Sequence, residues 1–291
     1  MTKRISIVGL GLIGGSMGLA LKQSGLRDAE LVGYVRTAEA GQRALRLGAV
    51  DAVEGDLRRA VNGADLVVLA TPVMAIKDVL QEIGPHLPPG CLVTDTASTK
   101  VSVMQWAEDY LPPSVDFIGG HPMAGKETSG IEAAEAGLFR DRTYCLATGR
   151  NASTASFETA MWLVGEIGAE PLCITAAEHD DFVAAISHLP LIVSSALVMA
   201  TTRSPDWARI SRLASTGYRD LSRLASQHSR MNRDICLTNR ENIIGWIDEF
   251  TRALDRFKRL IAEDNQQDLE QAFIQAKELR ERWLQDYAKG S

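Results

Sequence analysis

Short, continuously apolar runs alternate with amphipathic stretches along the chain as far as residue 174, and there the alternation stops. The runs read ISIV (5–8), ELVGYV (30–35), DLVVLATPV (65–73), CLVTDT (91–96), DFIGG (116–120), TYCLAT (143–148) and PLCI (171–174). Short apolar runs of this kind belong to strands buried on both sides, as in a parallel sheet. Helix-like segments such as AEAGQRALRLG (38–48) separate several of them. Strands alternating with helices predict a doubly wound α/β domain with a mainly parallel sheet over residues 1–174.

From Thr175 onward the pattern is helical. Thr175 stands three residues before Glu178, the spacing of a capping box that opens a helix. Further on, Ile243, Ile247, Phe250, Leu254, Phe257 and Ile261 recur at alternating steps of four and three, and Leu269, Phe273 and Ala276 continue the rhythm. Residues 175–291 are therefore expected to form an all-α domain, joined to the first by a continuous hinge helix. Its long apolar stripe calls for a partner, so the expected assembly is a homodimer through the C-terminal helices. The segment FVAAISHLPLIVSSALVMA (182–200) is long enough to cross a bilayer, but His188, Pro190 and three serines make a buried helix of a soluble core the expectation.

Composition narrows the class. The 291 residues carry a formal net charge of −6, which speaks against a nucleic-acid or anionic-membrane partner. Cys91, Cys145, Cys173 and Cys236 are scattered with no C-x-x-C pair, which fits reduced thiols in a cytoplasmic protein and no zinc site. The first residues, MTKRISIVGLG, run directly into a glycine-rich turn, and no secretory signal is expected.

That turn, GLGLIG (9–14), follows a strand and opens a helix, the setting in which G-x-G-x-x-G binds a dinucleotide. Gly9 would make the tight turn, Gly11 would let the backbone approach a pyrophosphate, and Gly14 would allow close helix–strand packing, with Leu12 and Ile13 between them. The helix N-terminus would then face the phosphates. Where NAD-preferring sites carry an acid at the end of the second strand, this chain has Val35, Arg36 and Thr37. A carboxylate there would repel a 2′-phosphate, whereas Arg36 attracts one and Thr37 can donate to it, so NADP is expected over NAD. Thr71 and Pro72, at the end of another strand, are expected to shape the wall beside the nicotinamide.

Among five histidines, His121 stands between a Gly-Gly pair and a proline at a strand tip, and His188 lies just before a proline in an apolar helix. Taken alone, His188 reads more readily as a core residue than as a ligand contact. Together, GLGLIGGS (9–16), TDTASTK (94–100), GGHPMAGKETSG (119–130), HDDFVAAISHLP (179–190) and STGYRDLSRLAS (215–226) resemble the prephenate/arogenate dehydrogenases of tyrosine biosynthesis, in order and spacing. The resemblance covers nearly the whole chain. It implies oxidative decarboxylation of a cyclohexadienol: hydride leaves ring C4 for the nicotinamide, a base takes the 4-hydroxyl proton, and carbon dioxide is lost. It places His121 as that base and Ser98 as its hydrogen-bonding partner, with Lys100 and His188 lining the substrate pocket. Arg223 becomes the substrate-carboxylate ligand, with Arg219 and Asp220 beside it. Asn232 departs from relatives that carry tryptophan shortly before RDI, which bears on the choice between prephenate and arogenate; the NADP preference and ISHLP lean toward arogenate. With the helical region running to the end of the sequence, no fused regulatory or mutase domain is expected, and any inhibition by tyrosine would act at the active site.

Two other readings compete. A hydroxyacid dehydrogenase of the 6-phosphogluconate type would need a lysine between about 175 and 200, where there is none. A non-catalytic NADP-sensing protein would bind without turnover, yet base, serine and arginine are all present.

Overall fold

The computed structural model describes residues 3–26, 28–126, 128–149 and 152–289, with side chains as far as 286. Eight strands form one sheet: β1 (Lys3–Val8), β2 (Ala29–Tyr34), β3 (Ala52–Glu54), β4 (Leu66–Leu69), β5 (Leu92–Asp95), β6 (Asp116–Pro122), β7 (Thr143–Thr148) and β8 (Glu170–Cys173). Their order is β3-β2-β1-β4-β5-β6-β7-β8. All neighbours pair in parallel except β6 with β7. The seven apolar runs each became a strand. The three-residue edge strand β3 has no apolar run behind it, and the sequence pattern passes over it.

The intervening helices are α1 (Leu12–Gln23), α2 (Ala38–Arg46), α3 (Leu57–Val61), α4 (Val73–Ile83), α5 (Val101–Tyr110) and α6 (Thr154–Glu166). They cover both faces of the sheet, and successive strand residues serve opposite cores. Ile5, Ile7, Leu31, Val68 and Ile118 enter one cluster, while Val8, Val67, Leu69, Val93 and Phe117 enter the other. This is why the runs are apolar throughout. The exception on β1, Ser6, is fully buried and donates its hydroxyl to Ala60 O at 2.5 Å, which satisfies it inside the core.

After β8 the chain is helical: α7 (Ala176–Val183), a π turn (Ala184–His188), α8 (Leu189–Thr202), α9 (Trp207–Ile210), α10 (Thr216–Ser222), α11 (Ser229–Thr238), α12 (Arg240–Ala262) and α13 (Gln266–Lys289). The capping box at Thr175 and Glu178 forms with both of its bonds. The run Ala176–Thr202 is long and apolar enough to span a membrane, but it is not the buried core helix its composition suggested. Only 28 % of its most apolar window is buried, and Phe182, Ile186 and Met199 are exposed, because the described residues supply no layer over that side.

The chain divides into two compact units, Met1–Arg240 and Glu241–Ser291. Within the second, α12 and α13 form a hairpin in which Phe257 and Phe273 stack with ring centroids 5.3 Å apart. Asn265 caps α13 by accepting from Asp268 N at 3.2 Å.

Candidate active site

In a doubly wound sheet, ligands bind outside the carboxyl ends of the strands where the order reverses, here between β1 and β4. Three glycines after β1 meet three different demands. Gly9 has φ of +100°, and a Cβ there would sit 2.6 Å from Ala70 O. A Cβ on Gly14 would come within 2.0 Å of Gly9 O, so helix and strand meet there without room for a side chain. At Gly11 nothing lies within 4 Å of the same position, and the space is open. Helix α1 begins at this point with no side-chain cap.

A cavity of about 410 Å³ opens over this turn. Gly11, Leu12, Ile13, Thr71, Pro72 and Ser98 line it, as do Lys126 from the loop after β6 and Gln227, His228, Arg230 and Asp234 from α11 and its approach. Two buried polar atoms in its wall, Thr71 Oγ1 and Asp234 Oδ2, have no hydrogen-bond partner in the protein. Open space at Gly11, an uncapped helix start and orphaned polar atoms fit a bound dinucleotide. Arg36 and Thr37 lie beyond the end of β2, exposed and outside this cavity. Thr37 caps α2, its hydroxyl oxygen accepting from Ala40 N at 3.4 Å.

The turn between β5 and α5 joins this cavity to His121. Ser98 faces the cavity, while two residues on Lys100 turns inward and is wholly buried. Lys100 Nζ pairs with Asp95 and donates to Gly120 O at 2.7 Å. Asp95 in turn accepts from Gly120 N at 3.0 Å and from Ala97 N at 2.8 Å. Both backbone groups of the residue preceding His121 are thus held by one buried ion pair. A Cβ on Gly120 would strike Asp95 O at 2.4 Å and Tyr144 Oη at 2.8 Å, so the clamp requires glycine. Burial holds the Lys100 ammonium below its ordinary pKa, and Asp95 opposes that shift. Lys100 therefore does not line a ligand pocket. Its expected contact with substrate gives way to a supporting role beneath β6.

His121, partly exposed, pairs across to Cys145 on β7. Its Nδ1 lies 2.9 Å from His179 Nε2, with the rings edge-on at 71°. His179 Nδ1 lies 2.8 Å from Asp180 Oδ1. Asp180 also accepts from Lys100 N at 2.6 Å and Val101 N at 2.9 Å, where it closes the start of α5. Desolvation first, then the nearby His179, Lys100 and His188, hold His121 well below the ordinary histidine pKa. The ring is consequently neutral at physiological pH, as a proton acceptor must be.

His188 is buried, and its Nδ1 sits 3.2 Å from Asn239 Nδ2, which also donates to Asp180 O at 2.6 Å. Desolvation brings its pKa down to about 4. Like Lys100, His188 supports the site from behind and does not line a pocket; the apolar helix around it excludes water. Arg219, Asp220 and Arg223 stand together on α10 and the turn after it, all exposed, with Arg219 Nε 3.6 Å from Asp220. None of the three lines the cavity.

Sequence reasoning did not single out His179, Asp180 or Asp234. The first two sit side by side in HDD at the start of α7, on the face that becomes buried, and two polar residues on a buried helix face are the signal that was available.

The profile of the prephenate dehydrogenase nucleotide-binding domain matches residues 17–172, and that of the prephenate dehydrogenase dimerization domain matches residues 175–275. Prephenate dehydrogenase of Bacillus subtilis is 34 % identical over 97 % of this chain and 76 % of its own length. Cyclohexadienyl dehydrogenase of Zymomonas mobilis is 32 % identical over 96 % of this chain and 95 % of its own. Among solved structures, Synechocystis arogenate dehydrogenase superposes with a TM-score of 0.84 at 30 % identity, over 96 % of this chain and 99 % of that one. Prephenate dehydrogenase of Aquifex aeolicus, in complex with hydroxyphenyl propionate and NAD+, gives 0.89 at 27 % identity, over 96 % and 98 %. With both halves matched and relatives above 30 % identity along almost its full length, the chain belongs to the prephenate dehydrogenase family.

Proposed function

We propose that this protein catalyses the NADP-dependent oxidative decarboxylation of arogenate or prephenate in tyrosine biosynthesis, with arogenate slightly favoured. The observation that carries the reading is a neutral histidine clamped at the tip of β6, tied through the Asp95–Lys100 turn to Ser98 in the wall of a dinucleotide cavity. When bound, the nicotinamide supplies a hydride acceptor for ring C4. His121 takes the 4-hydroxyl proton as the hydride departs, and returns it to the phenolate oxygen once the ring carboxylate has left as carbon dioxide. Ser98 hydrogen-bonds the same hydroxyl. Arg223 pairs with a substrate carboxylate, Arg219 and Asp220 support it, and the fork of a guanidinium suits that task. Gly9, Gly11, Leu12, Ile13 and Gly14 hold the pyrophosphate side, Thr71 and Pro72 the nicotinamide side. Arg36 and Thr37 meet the 2′-phosphate; Thr37 can donate its hydroxyl proton while its oxygen caps α2.

The assembly proposed is a homodimer. It is supported by the match of residues 175–275 to a dimerization domain and by exposed Phe182, Ile186 and Met199 in the first unit and Leu254, Ile261 and Trp283 in the second. Four free cysteines accord with a cytoplasmic setting.

The test is reduced-nicotinamide formation by purified protein, with NADP and NAD, on arogenate and prephenate separately. Turnover with NADP is expected, with His121→Asn lowering it by roughly 10²–10⁴-fold while cofactor binding persists. NADP binding without turnover on either substrate would sink the reading.

A further inference from the structure

The reaction above requires a base but leaves open which ring nitrogen of His121 acts. We propose that His179, anchored by Asp180, is a positioning residue that fixes the His121 ring with its proton on Nδ1 and its lone pair on Nε2. This rests on His121 being the base, and goes beyond it by assigning the nitrogen and the residues that impose the assignment.

The direction of each hydrogen bond follows from the fixed end of the chain. The Lys100 and Val101 backbone N–H groups can only donate, so the Asp180 carboxylate accepts from both, at 2.6 and 2.9 Å. Its Oδ1 also faces His179 Nδ1 at 2.8 Å, and an ionised carboxylate can only accept there too. His179 Nδ1 therefore carries a proton. A neutral His179 then has a bare Nε2, and that atom lies 2.9 Å from His121 Nδ1. Two ring nitrogens at this distance share one proton, which must come from His121. Neutral His121 is left with its lone pair on Nε2, the nitrogen remote from His179.

The surroundings keep this polarity. His179 and Asp180 are each 1 % exposed, so water does not compete for their bonds. When His121 takes a proton on Nε2, it still donates from Nδ1 to His179, and no bond in the chain has to reverse. The groups that face it are His179 from α7, Lys100 from the β5–α5 turn and His188 from the π turn, all of which disfavour its cation. Asp180, behind His179, is the anion that offsets them. An Asp–His pair holding a catalytic ring in one tautomer is familiar from hydrolase triads; here a second histidine takes the place of the nucleophile.

With only five histidines in the chain, ring-nitrogen NMR of ¹⁵N-histidine-labelled protein without ligands can resolve each one. His121, identified by its loss in His121→Asn, should show a protonated Nδ1 and a bare Nε2 at pH 7.5. His179→Gln retains an acceptor oxygen toward His121 and an N–H donor toward Asp180. It should preserve both that pattern and most of kcat. His179→Leu should abolish the preference and lower kcat by roughly 10²-fold with KM little changed. A wild-type His121 protonated on Nε2, or an unaltered tautomer in His179→Leu, would overturn the proposal. Because the spectra need no substrate, a correct tautomer in an inactive protein would count against the proposed reaction alone.

Discussion

Replacing Lys100 with methionine isolates the clamp beneath His121. Methionine is of similar length, so little cavity opens, but it cannot donate. Asp95 would keep its bonds from Gly120 N and Ala97 N, and would lose its cationic partner in a site with no exposure at all. Gly120 O would lose the 2.7 Å donor as well. Removing one member of a buried pair costs about 3–5 kcal/mol, because the survivor stays charged and sealed from water. Against a typical total of about 5–15 kcal/mol, Lys100→Met should lower stability by a large fraction. The double variant Asp95→Asn/Lys100→Met buries no charge and should recover at least about 1 kcal/mol relative to Lys100→Met. Urea unfolding followed by circular dichroism measures both, and the single and double variants together with Asp95→Asn close a cycle. A loss below about 1 kcal/mol in Lys100→Met, or strict additivity in the cycle, would refute the clamp.

Gly11→Ala should leave the melting temperature of the free protein unchanged, since a Cβ meets nothing there, yet weaken cofactor binding by titration; Gly14→Ala, with Gly9 O at 2.0 Å, should fail to fold normally. For His188, the folded-state value of about 4 lies below the ordinary 6.5, so the folded protein takes up this proton less readily than the unfolded chain. The stability tied to its neutral form is thus complete above pH 6.5 and is lost as pH falls toward 4, by about 2 kcal/mol at pH 5 at about 1.36 kcal/mol per pH unit. His188→Gln should lose that part of the pH dependence in urea unfolding at pH 7 and 5, and equal slopes would argue against it. Since His121 is held below its ordinary pKa, kcat/KM should stay level as pH drops to 6.5 and fall only below it; an acid limb centred above 6.5 contradicts the assignment. Arg36→Ala should weaken NADP by roughly 10-fold or more and leave NAD unchanged, as loss of a charged hydrogen bond predicts; equal effects on both cofactors would remove Arg36 from the 2′-phosphate.

The sheet could be read from the sequence because strands buried on both faces leave uninterrupted apolar runs, and the three glycines because their steric demands are local. Ser98 was legible for a similar reason, lying just past a strand end. Lys100 and His188 mark where such reading stops. A motif places a backbone, but whether a side chain turns toward the ligand or under the sheet depends on what packs from elsewhere, here Asp95 and Gly120 for one and Asn239 for the other. The contact between His121 and His179 spans 58 residues of sequence and links a strand tip to a helix start, which no periodicity can announce. Asp234 sits within an ordinary helical pattern, and its orphaned oxygen becomes visible only once the cavity wall is assembled.

The π turn at Ala184–His188 has a consequence for how the site tolerates insertion and deletion. A π turn is an α-helix carrying one surplus residue, and each residue of an α-helix advances about 100° around the axis. Deleting one residue between 184 and 188 would restore a regular helix and swing everything after it by about that angle relative to His179 and Asp180. Ser194, which accepts from Ala225 N at 2.9 Å, would turn away from the segment that carries Arg223. A single-codon deletion here would therefore disconnect the two halves of the active site while leaving the helix itself more regular than before.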